Sequence, residues 1–327
     1  MPEIIQTMSV EELIYRSYET LKKGEAAIAL DFLKRALEID FEHQEVIYAL
    51  KCLNWWLEKI KRLDEFGDPY ERGEYLLSQW KSYYSFLDRI GEESPGRKEG
   101  PPVVKDFDSC QYALKRFVFS RALDCFLTIL GDEVNHQDPA LLLQTGRCCK
   151  GAGNWEEALK YLEHAGRIRR DDSAILSELA DLNALLGDER VAKVLFREAF
   201  FLDPQGINLA GLESEMILAL RDKVADLGYA GQELAEWIPV WGCIWGIFAV
   251  KRELKPVELG RLKQSILSLE NELRSNSGNA LLLKPRLLNR YFWLVDHCEH
   301  NQGDGLMHET MLKIKFVDPR IYEHYRT

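Results

Sequence analysis

The chain has 327 residues, 46% hydrophobic and 29% charged, with 11 prolines. That balance excludes disordered and collagen-like classes and supplies a large core, in one domain or two. Forty-two Lys and Arg against 53 Asp and Glu give a formal charge of −11, which repels a phosphate backbone and argues against nucleic acid as a partner.

Met1 to Val10 carries no basic start and no apolar run of leader length, so no secretion signal is expected. Ser9 followed by Glu12 has the spacing of a capping box and predicts a helix from about residue 10. Leu13, Ser17 and Leu21 recur at helical intervals up to Gly24, and Ala29, Leu33 and Ala36 resume the period, which reads as helix, tight turn, helix. A longer second pair is predicted over 44–60 and 69–90, joined at Gly67-Asp68-Pro69. Gly91 to Asp106, with three prolines and many charges, reads as a surface connection. The hairpin pattern returns at Leu141 to Lys150, Gly153 and Ala158 to Ile168, and again at Ile175 to Leu186, Gly187 and Val191 to Leu202. Beyond Pro204 the spacing fades, and helices are predicted at 209–227, 256–274, 280–298 and 307–316.

Gly153 and Gly187 lie 34 residues apart, a period that calls for a repeat. Around Gly187 stand Ala180, Ala192, Phe196, Ala199 and Pro204. Around Gly153 stand Gly146, Ala158, Leu162 and Ala165, and around Gly24 stand Ser17, Ala29, Leu33 and Ala36. In this pattern the chain resembles the tetratricopeptide repeat (TPR) family, with Arg170 and Phe41 replacing the proline in two copies. Cys110, Ala122, Phe126 and Ile129 keep the spacing of a further hairpin without its turn glycine, and Met307, Met311, Ile314 and Pro319 form a terminal half-repeat. The closing FVDP echoes FLDP at Phe201 to Pro204. The resemblance implies an all-α, right-handed superhelix of stacked antiparallel helix pairs, with a degenerate helical C-terminal part. The expected organisation is helix pairs over 1–92, a loop over 93–105, repeats over 106–204 and a helical region over 205–327.

Trp237 to Val250 is an uncharged run of fourteen residues, too short to cross a bilayer. Trp237, Trp241, Trp245 and Phe248 recur at helical intervals, and Gly242 and Gly246 form a GxxxG pair where another backbone could approach. The run reads as a core helix, with an aromatic contact face as the alternative. His297, Cys298, Glu299, His300 and His308 lack the spacing of a metal motif and read as a solvated helix end. Seven cysteines without CxxC spacing suit packing in a reducing cytoplasm. Phosphate-loop, dinucleotide, nucleophile-elbow and EF-hand motifs are missing, so neither an enzyme nor a cofactor is expected.

The resemblance also implies that partners lie on a concave wall lined by the first helix of each pair. There the expected residues include Tyr15, Tyr18, Gln144, Arg147, Lys150, Glu178 and Asp181. Family members that grip acidic C-terminal peptides need several basic side chains together, whereas Arg147 is accompanied by Glu178 and Asp181, which argues against that ligand. The expected function is a non-catalytic adaptor or scaffold that binds another protein or peptide. The alternatives are a structural subunit of a large bacterial assembly, and a metal-dependent enzyme or regulator using the C-terminal His and Cys residues. Self-association is left open.

Overall fold

The computed structural model describes residues 8–92, 107–248, 254–275, 279–300 and 304–326, and among these every regular element is helical. The chain divides into two compact units, Met1–Ala165 and Gly166–Thr327.

In the first unit the chain runs through α1 (Val10–Lys22), α2 (Ala26–Ile39), α3 (Gln44–Lys61), α4 (Pro69–Glu92), α5 (Asp108–Leu130), α6 (Pro139–Gly151) and the start of α7 (Trp155–Ile168). Only half of the capping box forms at α1. The Glu12 amide donates to Ser9 Oγ at 3.2 Å, but the Glu12 carboxylate turns forward to Arg16 at 2.9 Å. The connection expected from Gly91 starts late, because α4 runs on to Glu92, and the rest of it lies outside the described residues.

The second unit begins with α8 (Ser173–Leu185) and α9 (Glu189–Leu202), followed by α10 (Glu215–Ala225), α11 (Gly231–Ile244), α12 (Pro256–Arg274), α13 (Ala280–His300), α14 (Asp304–Val317) and α15 (Pro319–Arg326). The helix expected over 209–227 starts later, since two 3-10 turns, Pro204–Gly206 and Leu209–Gly211, precede α10. The FLDP and FVDP echo has a physical basis. Asp203 accepts from the Gln205 amide at 3.1 Å, and Asp318 accepts from the Arg320 amide at 2.9 Å, so each Asp-Pro pair starts a new helical turn. After Asp318 that turn grows into α15, which the periodicity did not anticipate.

Three hairpins, α1/α2, α6/α7 and α8/α9, are built alike. Gly24, Gly153 and Gly187 adopt φ of 87°, 82° and 90°, a region open to glycine at little cost. The next amide in each, from Glu25, Asn154 or Asp188, reaches back to the carbonyl of Thr20, Cys149 or Asn183 at 3.1, 2.8 and 2.8 Å. This satisfies carbonyls that the helix end would leave bare. Where the helices cross, Ala29, Ala36, Ala158, Ala165, Ala192 and Ala199 are wholly buried, and Leu33, Leu162 and Phe196 fill the space beside them. The Ser17 hydroxyl donates to the Ala29 carbonyl at 2.9 Å across the first crossing. At the second, a Cβ on Gly146 would stand 2.6 Å from Leu162 Cγ, so only glycine fits without displacement.

The hairpin expected between Cys110 and Ile129 is instead one unbroken helix, α5. The position where a turn glycine would stand holds Phe117, which is buried, and no nearby residue favours positive φ. α5 packs against α1, α4 and α6, and its apolar residues point in all these directions. The long α3/α4 pair is held by stacked rings, Trp56 on Trp80 at 5.6 Å and Trp55 on Phe86 at 5.4 Å.

Candidate functional site

Of the wall residues expected from the sequence, three reach solvent. Tyr15 on α1 is 65% exposed, and Gln144 and Arg147 on α6 are half-buried. Gln144 Nε2 donates to Glu74 Oε1 on α4 at 2.6 Å, and Arg147 Nη1 donates to Gln144 Oε1 at 3.4 Å. These bonds fix the two side chains at the surface rather than leaving them to sweep freely.

The other four are corrections. Tyr18 is buried, its hydroxyl donating to Glu45 Oε1 at 2.9 Å. Lys150 is buried, on a helix that Leu162 approaches at Gly146 and Phe119 at Gly151. Glu178 and Asp181 are buried because α8 is enclosed over the whole run Ile175 to Leu182. The segment leading into α10 crosses that face: the amides of Glu213 and Ser214 donate to the Asp181 carboxylate at 3.0 and 2.8 Å. Asp181 thus serves as an internal anchor for the chain entering α10.

The aromatic run also turns inward. Trp237, Trp241 and Phe248 are buried and Trp245 is half-buried, so the contact face does not form at Trp237 or Trp241. α11 starts earlier than the run and stops at Ile244, where Gly246 takes φ of 71°. The Phe248 amide then returns to the Gly242 carbonyl at 2.9 Å, and the Phe248 ring fills the space above Gly242. Gly242 therefore receives the chain's own ring instead of a foreign backbone, while Gly246 lies past the helix end with open space around it. The last two positions of the run, 249–250, lie outside the described residues.

No group of three or more His, Cys, Asp or Glu side chains among the described residues is placed to hold a metal ion. His297 accepts the Leu254 amide at its Nδ1 at 3.3 Å, Cys298 is buried and His308 is exposed. All seven cysteines are free thiols. No described helix is long and apolar enough to cross a membrane.

Two polar constellations were invisible to periodicity. In the first unit, Gln111 Nε2 on α5 donates to the hydroxyls of Tyr48 at 2.7 Å and Tyr83 at 3.1 Å, joining α5 to α3 and α4. Cys52 and Cys110 lie beside it, and the neighbouring Cys52 thiol together with burial holds Cys110 well above the usual thiol range. In the second unit, α13 carries an inward stripe. Arg286 pairs with the fully buried Glu236 of α11, with Nε to Oε2 at 3.2 Å, and Gln205 adds a bond at 3.0 Å. Asn289 donates to the Phe200 carbonyl at 3.2 Å, and Asp296 pairs with buried Arg197 of α9. Between these, Arg290 donates to the Phe201 carbonyl and lays its guanidinium 3.9 Å from the Phe201 ring centre.

Arg290 borders a cavity of about 260 Å³ in the second unit, whose apolar wall includes Leu176, Phe201, Leu262 and Trp293. Phe201 and Trp293 meet at 4.7 Å. Burial, reinforced by the like charge of Arg286, pushes Arg290 down to about 10.

No family model and no curated protein matches the chain. A matching solved structure is the crystal structure of the P58(IPK) TPR domain, 16% identical, covering 95% of this chain and 98% of that one at a TM-score of 0.24. The likeness to TPR helix pairs rests on the three hairpins themselves.

Proposed function

We propose that the protein is a non-catalytic scaffold that binds another protein or peptide in the cytoplasm, with the solvent-facing residues of α1 and α6 in the first unit as its contact surface. The observation that carries this reading is the division of labour on α1. Leu13, Ser17 and Leu21 lock it to the fold, while the large ring of Tyr15 stands 65% exposed, and interfaces favour such rings. On α6, Gln144 and Arg147 offer fixed polar groups beside a locked face. Seven free thiols accord with a reducing compartment.

The test is capture on immobilised protein followed by mass spectrometry, comparing wild type with Tyr15→Ala and Arg147→Glu. A partner that is retained by wild type and lost by both variants, with helicity unchanged, supports the reading. Partners captured equally by all three would refute this surface.

A further inference from the structure

We propose that the cavity beside Arg290 is a binding site for a small apolar carboxylate, the carboxylate meeting the Arg290 guanidinium and the apolar body lying against Phe201 and Trp293. This goes beyond the scaffold reading and rests on the second unit alone.

The chemistry of the walls selects the ligand. Arg290 commits one N–H to the Phe201 carbonyl, and its Nε, out of reach of water, has no hydrogen-bond partner among the described residues. A half-buried guanidinium that spends one terminal N–H on the Phe201 carbonyl keeps its charge for an anion at the cavity, and a charge-assisted bond gains as water is excluded. Its depressed pKa reports the same desolvation and leaves it protonated at neutral pH. The rim limits how much negative charge can enter: Arg170, Arg261 and Arg290 are matched by Asp171, Glu198 and Glu258. With no net positive charge around the space, a monoanion meets less repulsion from those carboxylates than a dianionic phosphate does. Size limits the rest. At about 260 Å³ the space lies just below the roughly 300 Å³ where drug-sized pockets begin, so it takes a body the size of one large side chain. Four leucines and two aromatic rings form the apolar part of the lining and give an apolar body a surface to cover.

The experiment is calorimetric titration of the full-length protein with hexanoate and phenylpropionate, each against its primary amide, and with inorganic phosphate. Saturable binding of either acid, with its amide at least about tenfold weaker, is the expected result, since the amide lacks the charge that the guanidinium reads. Arg290→Gln, judged folded by circular dichroism, should lose about tenfold or more in acid affinity. Ser265→Phe, which narrows the cavity from its half-buried rim, should weaken acid binding with Arg290 intact. A short peptide ending in leucine, as free acid and as amide, separates the sources of the carboxylate. Tighter binding of the peptide acid than of hexanoate assigns a chain terminus, and the reverse assigns a free organic acid; both support the site. Equal binding of acid and amide, preference for phosphate, or no saturable binding of any acid overturns the proposal, whether or not the Arg290 variant folds.

Discussion

Gly146→Ala sets two effects of one methyl group against each other. Replacing glycine by alanine inside a helix ordinarily stabilises by about 1 kcal/mol, because the unfolded chain loses freedom and the helix gains propensity. At Gly146 the new Cβ would stand 2.6 Å from Leu162 Cγ and 2.7 Å from its Cδ2. Cγ is a branch point, not a flexible tip, and Leu162 is wholly buried, so relief requires moving α7. Overpacking of this kind costs about 1–3 kcal/mol, and with so little slack the upper part of that range applies. The net expectation is destabilisation by about 1–2 kcal/mol, a fall of roughly 2–8 °C in the unfolding midpoint for a unit of this size. Gly260→Ala is the control. It lies inside α12 with nothing within 4 Å of the new Cβ, so it should stabilise by about 0.5–1 kcal/mol. Thermal and urea unfolding followed by circular dichroism measure both. If Gly146→Ala stabilises as Gly260→Ala does, the close helix crossing is wrong.

Arg286→Leu leaves the Glu236 carboxylate buried without its cation and should cost about 3–5 kcal/mol, while Glu236→Leu with Arg286→Leu should recover most of the loss; urea midpoints decide. Trp241→Asp places an uncompensated charge in the core and should leave little soluble folded protein; a well-folded variant would refute burial. Burial and the Glu157 charge push Cys149 up to about 12, and burial pushes Cys243 up to about 11 although Arg197 opposes it. Both thiols stay neutral in the fold where an unfolded thiol ionises near about pH 8.5. Their contribution to stability is therefore whole below about pH 8.5 and declines as pH rises towards 11–12. A urea midpoint that stays flat from about pH 8 to about pH 11 would contradict this.

The hairpins were legible because their determinants are local: a glycine where φ must be positive, and short side chains at fixed distances on either side. α5 departs from the expected hairpin for the complementary reason. Its small residues repeat the spacing, but spacing alone cannot turn a chain, and Phe117 has no means of doing so. The contact surface was harder to read. Periodicity assigns charged residues to water, and by that rule Lys150, Glu178 and Asp181 belong outside. Besides α9, what covers α8 at Asp181 is a segment more than thirty residues downstream, whose amides need the Asp181 carboxylate. No local pattern records such a partner. In Trp237 to Val250 the core reading came from the absence of charge, whereas the stop at Gly246 and the return of Phe248 depend on how the ring fits over Gly242.

The inward stripe on α13 also restricts how that helix can be seated. A rod greased only by leucines can slide or roll against its neighbours at modest cost, since one oily contact substitutes for another. α13 cannot. A slip of one turn, about 5.4 Å, would strand the carboxylate of Glu236 and the guanidinium of Arg197 at once. Like a key whose teeth admit a single depth, the helix has one register, and Arg290 is presented at the cavity in one pose before any ligand arrives.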